Sequence, residues 1–495
     1  MKKLRELFSD SLIYGISSVL ARFVNYLLVP FHTDVFNPAR YGIVGLIYAA
    51  IAFLNVLFTF GMESAYLRYA ADRSSSRSIF KTLQVALLFF STALALLLWL
   101  LLPALLPLFN LGPESSGIIL MMIGILWFDT LAIVPMAELR LVRKSLSFAT
   151  LRITHVIINV GLNFSLILMF DYGIEAVFLA NLAASMVVTV MVWIYTSDML
   201  SGEWSSYWMK RAFHFGWPFV LSGIGFAVNE MLDRFLLDQM DPERVVEIYG
   251  SGFTPEDIVG IYNACYKLAV FMLLLVQMYR MAWQPFFMRH SDDKESPRLF
   301  ALAFYWYNAF SAILFLLVAL YREQIVAIEI PVLNATLIGS DYWTGLDIVP
   351  FLLMAYWFHG WYINFSSTVF IEEKTKVFYK ITLTGAAITV VANLLLIPIY
   401  GMTGSAIATL LSYATMALVL AAVSRRIIEV PYRLPSAFVL MIASALLVIF
   451  EPMGADLTGL SDFWLQSLLF AVGIVVSILY LWVHTRGKTG LHDTA

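Results

Sequence analysis

One cysteine, Cys265, stands in 495 residues, so no internal disulfide can form and no Cys-built metal site is available. Charge is almost as scarce: Asp, Glu, Lys and Arg make up 13% of the chain, about half the share of a soluble domain. The seven histidines are scattered without the spacing of metal ligands. No Walker-type phosphate loop occurs, which excludes an ATPase within this chain. Neither a nucleophile elbow nor a His-Glu-x-x-His helix is present, and Gly250-Ser251-Gly252 reads as a turn. No enzyme, cofactor, metal or nucleic-acid partner is expected from such a sequence.

What the chain has is apolar length. Hydrophobic residues make up 61% of it, and a membrane-crossing helix needs about 20 of them in a row. Apolar runs bounded by charged or Pro/Gly-rich segments predict fourteen spans: 11–32, 41–62, 82–107, 116–138, 149–170, 172–196, 213–237, 258–281, 299–320, 347–370, 377–399, 402–423, 435–451 and 463–484. The longest loop between them, 321–346, leaves no room for a catalytic ectodomain. Lys2, Lys3 and Arg5 precede the first run like the start of a signal peptide, but no small-residue cleavage site follows, and an uncleaved helix is expected. The fold class is therefore an all-α polytopic membrane protein.

The basic residues orient it. With the N-terminus inside, 25 of the 31 Lys and Arg fall on inside segments, three outside (Arg40, Arg244, Arg322) and three within spans (Arg22, Arg234, Lys267). The positive-inside rule then places both termini in the cytoplasm and requires an even number of spans.

The chain also resembles itself. At an offset of 230, residues 144–167 match 374–397 at eight of 24 positions, among them Lys144/Lys374, Phe148/Phe378 and Asn163/Asn393. Chance likeness between two apolar helices is the simpler alternative. Against it, a Tyr-Gly hairpin (Tyr172-Gly173, Tyr400-Gly401) follows each copy. An even number of spans separates the copies, which implies parallel repeats with a site expected between the halves. This gives an N-terminal lobe over 1–198, a C-terminal lobe over 199–426, and two added helices with a tail over 427–495.

Ionisable groups inside spans are costly, and by default mark a pathway or a pair. Arg22 lies mid-span, on a helix face shared with Asn25; Lys267 lies mid-span with Asn263 one turn before it. Each is read as a cationic point in an aqueous cavity, the alternative being a buried structural pair. Arg22, Lys267, Asn25, Asn263 and Asn229 are the candidate substrate-binding residues. Glu230, Asp233 and Asp129 are the candidates for coupling to a proton or Na⁺, with an Asp233–Arg234 pair as the structural alternative. His155 and His359 read as core residues, and Trp204, Trp208, Trp306, Trp343, Trp357 and Trp361 mostly as interfacial belts.

Certain strings carry a family likeness. FHFGWPFVLSGIGFAVNEMLDRFLL (213–237) and VGIYNACYKL (259–268) resemble the seventh and eighth spans of bacterial polysaccharide transporters, the Wzx-type oligosaccharide-lipid flippases. DIVPFLLMAYWFHGWYINFSSTVFI (347–371) and NLLLIPIYGMTGSAIATLLSY (393–413) resemble the tenth to twelfth, and NYLLVPFHTDVFNPARYG (25–42) the first hairpin. These transporters belong to the multidrug/oligosaccharidyl-lipid/polysaccharide exporter superfamily, which includes the MATE proteins. The resemblance implies two six-helix lobes, alternating access in the inner membrane, and outward movement of a lipid-linked oligosaccharide. The carrier it implies is undecaprenyl pyrophosphate, with glycan polymerase machinery as a partner and a monomer as the working form. The outside segment 238–257 is longer than the family pattern and has no assigned role. A cation-coupled multidrug exporter of the same superfamily is the first alternative, although Arg22 does not suit an acidic cavity. A membrane glycan polymerase or ligase is the second, but would carry a large basic outside loop.

Overall fold

The computed structural model describes residues 28–109, 111–289, 295–331, 333–372, 376–458 and 461–485. Arg22 and Asn25 lie outside the described residues. With no water in the bilayer core, backbone groups must bond within their own segment, and helices answer that demand. Through Asp238 the elements are α1 (Leu28–Val35), α2 (Pro38–Thr59), α3 (Met62–Tyr69), α4 (Ser76–Leu100), α5 (Leu102–Leu108), α6 (Ser116–Leu141), α7 (Ser145–Phe170), α8 (Glu175–Tyr195) and α9 (Ser206–Asp238). Beyond it lie α10 (Pro242–Tyr249), α11 (Pro255–Arg289), α12 (Ser296–Leu320), α13 (Arg322–Val326), the strands β1 (Glu329–Ile330) and β2 (Ala335–Thr336), α14 (Val349–Ile371), α15 (Lys376–Ile427), α16 (Leu434–Thr458) and α17 (Asp462–Thr485). The two strands pair antiparallel, Glu329 facing Thr336.

Among the described residues, ten helices are long and apolar enough to cross a membrane. One of them, Val377–Ile427, holds two predicted spans, interrupted at Gly401 (φ 54°, ψ −128°). Helices α9 and α14 coincide with the predicted seventh and tenth spans but fall outside the ten. The first carries Glu230, Asp233 and Arg234, and the second is rich in Trp, Tyr, His and Asn. The predicted first span is described only from Leu28 onward. The helices thus account for the remaining thirteen predicted spans.

Two compact units divide between Phe235 and Leu236. In the first, α6 packs on α2, α3, α4 and α8, and α7 pairs with α8. The packing boundary lies one span later than the repeat boundary at 198/199, because α9 meets the turn after α2 closely. Asn37 caps α2 and Pro38 opens it; Phe60, in the left-handed region, ends it. Phe60 stacks on Phe213 of α9 at 4.7 Å. A Cβ on Gly216 would lie 2.3 Å from the Phe60 carbonyl oxygen, so only glycine admits this approach. In the second unit α14 packs on both α11 and α15, while α12 packs on α16 and α17.

The core of the second unit departs from the sequence reading at two tryptophans. Trp357 and Trp361 are fully buried, and both indole N–H groups donate to Asn308 Oδ1, at 2.9 and 2.8 Å. They are pillars of α14 against α12, not interfacial belts, because a buried indole needs an acceptor and Asn308 provides one. Trp204 and Trp306 are exposed. Cys265, fully buried, donates from Sγ to the Tyr342 carbonyl at 3.2 Å, tying α11 to the turn before α14.

Candidate functional site

Helix spacing assembles a polar interior in the first unit. On α7, Arg152, His155, Asn159 and Asn163 recur at three and four residues, hence on one face. On α8, Asn181 and Ser185 stand one turn apart. The facing helices complete two groups. In the first, Asp129 of α6 bonds Ser185 and lies in the field of Arg152. His155 Nε2 is 3.4 Å from Ser185 Oγ, and Asn181 Nδ2 donates to the Tyr48 hydroxyl of α2 at 3.1 Å. In the second, Asn163 Nδ2 donates to the Asn159 carbonyl at 2.8 Å, while its Oδ1 pairs with His32 Nε2 of α1 at 3.0 Å. Asn159 and Asn163 are buried in this interior.

A carboxylate with a hydroxyl, an imidazole and amides around it can hold a proton or a small monovalent cation. Arg152 supplies a fixed positive charge that competes for the same carboxylate. No group of three or more His, Cys, Asp or Glu that could hold a metal ion occurs among the described residues.

The predicted candidates on α9 sit together near its end. Asn229, Glu230, Asp233 and Arg234 are all buried. Arg234 Nη1 donates to Asp233 Oδ1 at 2.6 Å and to the Glu230 carbonyl at 2.5 Å, so Asp233 belongs to a buried ion pair. In the second unit, Asn263 and Lys267 lie one turn apart on α11, Asn263 buried and Lys267 half-buried. Beside them the Tyr266 and Tyr356 hydroxyls are 2.6 Å apart. His359 stacks on Tyr413 at 5.0 Å.

Sequence reading singled out Asp129 and left most of its surroundings unassigned. By sequence Arg152 is one of the 25 inside charges and His155 reads as a core residue. The four-residue polar stripe 152, 155, 159, 163 is the signal that could have joined them. The repeat deepens it: Asn393 Nδ2 donates to the Thr389 carbonyl at 2.7 Å, as Asn163 does to Asn159, each at an offset of 230. The two matched asparagines therefore make the same bond one turn back.

A different polar cluster lies at the predicted span ends. Arg73, in the turn between α3 and α4, forks onto Glu138 of α6 at 2.7 and 2.8 Å. The buried Tyr66 hydroxyl donates to the same carboxylate at 2.6 Å. Burial, and then the Glu138 carboxylate, push the Tyr66 hydroxyl up, so it stays a donor; the bond to Glu138 also raises Arg73. Arg140 pairs with Glu63 nearby. Each of the four charges is paired, and the two pairs hold α3 and its turn onto α6.

The sequence pattern described as polysaccharide biosynthesis protein matches residues 7–291. No match was found among curated proteins. Among solved structures, the lipid II flippase MurJ in an inward closed conformation is similar with a TM-score of 0.70 at 14% identity, covering 96% of this chain and 99% of that one. An inward-facing multidrug resistance MATE family transporter of the MOP superfamily gives 0.61 at 15% identity, covering 84% and 94%. An outward-facing structure described in the same terms gives 0.53 at 14%, covering 84% and 93%. At these identities the likeness is one of fold, an all-α architecture shared along 84–96% of this chain.

Proposed function

The chain belongs to the polysaccharide biosynthesis protein family, and from that premise we propose that it is a flippase. It would carry a lipid-linked oligosaccharide outward across the cytoplasmic membrane by alternating access, with both termini inside. The observation that carries this reading is the coincidence of the family match over 7–291 with a fold shared along 96% of the chain with a lipid II flippase. The absence of a catalytic motif and of any large outside loop agrees with transport. The inside-rich basic charge supports the orientation.

A pyrophosphate head group is anionic, and moving it unpaired through hydrocarbon would be prohibitive. Arg22 and Lys267 are the cations assigned to it, and Asn25, Asn229 and Asn263 the residues assigned to hydrogen-bond it. A charge-assisted contact contributes about 1.5–3 kcal/mol, close to the roughly 2.5–3.5 kcal/mol cost of a mid-span cation on insertion scales. The inside-negative potential assists by roughly 2.3 kcal/mol per charge per 100 mV.

Reconstitution in liposomes with a fluorescent undecaprenyl-pyrophosphate oligosaccharide tests the reading, head-group exposure being followed by chemical quenching. Wild-type protein should flip the probe, and Arg22→Ala and Lys267→Ala should abolish or strongly impair flipping while the folded protein persists. Arg22→Lys should be partly active, since the charge survives but the planar fork is lost. Wild-type rates in both alanine variants would remove the cationic site.

One observation favours a second reading. Asp129, with Ser185, His155 and Arg152 about it, suits an ion-coupled exporter, and MATE transporters share the fold. Transport of a cationic dye driven by a Na⁺ or proton gradient, with no flipping of the lipid probe, would select it.

A further inference from the structure

The outside segment that the family pattern does not explain has a place in the second unit. Its helix α10 is capped by Asp241, which accepts from the Glu243 amide, and it opens at Pro242. Val245 is fully buried, and one side of the helix lies against α15. Two of its side chains reach the break in α15. Arg244 donates from Nη2 and Nε to the Pro398 carbonyl at 2.9 and 3.2 Å, and is paired with Glu247. The Tyr249 hydroxyl accepts from the Met402 amide at 2.7 Å.

These two bonds have a common origin. In an unbroken α-helix the amide of residue 402 donates to the carbonyl of residue 398. Gly401, with φ 54° and ψ −128°, turns the chain out of helical geometry between them. The break separates this donor from this acceptor, and α10 supplies each with a side-chain partner. Gly401 also makes room for it: a Cβ there would lie 2.1 Å from the Tyr249 hydroxyl.

The first unit contains the matching break without the strap. Asp171, 230 residues before Gly401, is in the left-handed region at φ 53°. The next amide, Tyr172, bonds back to the Leu166 carbonyl of its own helix at 3.1 Å. Its counterpart at the same offset is Met402, whose amide goes to Tyr249 instead. The first turn thus falls one residue before its Tyr172-Gly173 pair, and the second within Tyr400-Gly401. One hairpin is closed by backbone and its repeat by an inserted helix.

We propose that Arg244 and Tyr249 are positioning residues, and that α10 is a strap clamping the two halves of α15 at a fixed angle. α15 packs on α14, and α14 on α11, the helix of Asn263 and Lys267. The strap therefore holds the outer end of the layer that carries those side chains. This inference rests on the second unit's geometry alone and stands whatever the substrate.

Hydrogen–deuterium exchange of the full chain in lipid nanodiscs tests it, through peptides covering 396–404 and, as the internal control, 166–174. Tyr249→Phe, and Arg244→Met combined with it, should each speed exchange in 396–404 by about fivefold to tenfold, the loss of one or two ordinary hydrogen bonds. Arg244→Lys should keep most of the protection, since a donor still reaches the carbonyl. Gly401→Ala should displace Tyr249 and reproduce the Tyr249→Phe profile, while 166–174 stays at the wild-type rate in every variant. Unchanged exchange in 396–404 for the double variant would overturn the strap. So would an equal rise in 166–174, because the effect would then be general loosening.

Discussion

Removing Arg73 should cost more than its exposed position suggests. The Arg73 side chain is 46% exposed, whereas Glu138 at the other end of the fork is 5% exposed. Arg73→Met leaves the Glu138 carboxylate buried with the Tyr66 hydroxyl still donating to it. Breaking a fully buried pair costs about 3–5 kcal/mol; water reaching in from the Arg73 side lowers this to about 2–3 kcal/mol. Glu138→Leu acts differently. Arg73 turns into water at little cost, and the orphaned group is the Tyr66 hydroxyl, worth about 1–3 kcal/mol. Adding Tyr66→Phe to Glu138→Leu should therefore recover about 1 kcal/mol or more, since no buried hydroxyl is left unpaired. The double variant Arg73→Met/Glu138→Leu should be less destabilised than the sum of its parts by about 1.5–3 kcal/mol. Because the folded value of Tyr66 is raised, its contribution is fully present below the ordinary tyrosine value near 10 and is lost as pH rises through the folded value. Equilibrium unfolding in mixed micelles, followed by tryptophan fluorescence at neutral pH, reads these differences. A coupling energy under about 0.5 kcal/mol, the size of an exposed surface pair, would refute the reasoning.

Two further predictions follow from the charges. Cysteines placed at Ser115 and Thr458 should react with an impermeant reagent from outside intact cells and those at Ser76 and Ser296 should not; outside labelling of either of the latter would break the fourteen-span topology. Asp129→Asn and Glu230→Gln should shift the Na⁺ or pH dependence of transport at unchanged membrane levels, with Asp233→Asn instead lowering stability through its pair with Arg234; identical ion dependence in the first two would make them structural residues.

Sequence reached the fold because a membrane leaves few choices. Length of apolar run, charge side and an internal offset were enough to place the helices and to match Asn163 with Asn393. It reached the candidate residues less evenly. Asp129 was visible as an isolated mid-span acid, but its partners Ser185 and His155 are ordinary helix residues until α7 and α8 bring them together. Asp233 and Arg234 were legible as a pair because they are adjacent. The fates of Trp357 and Trp361 were not, since burial depends on Asn308 of another helix. The role of α10 was hidden for a similar reason. Arg244 and Tyr249 are separated from Pro398 and Met402 by some 150 positions, and nothing local announces a broken hydrogen bond elsewhere.

Cys265 has a practical side. Its thiol is sealed inside the second unit and turned toward the Tyr342 carbonyl, while reagents attack the thiolate of an accessible cysteine. The native chain should then behave toward impermeant maleimides as though it had no cysteine at all. Spectroscopic labels, crosslinkers and accessibility probes could be introduced one position at a time into the unaltered protein, with the parent serving as its own silent background. That convenience follows from one side chain being packed well.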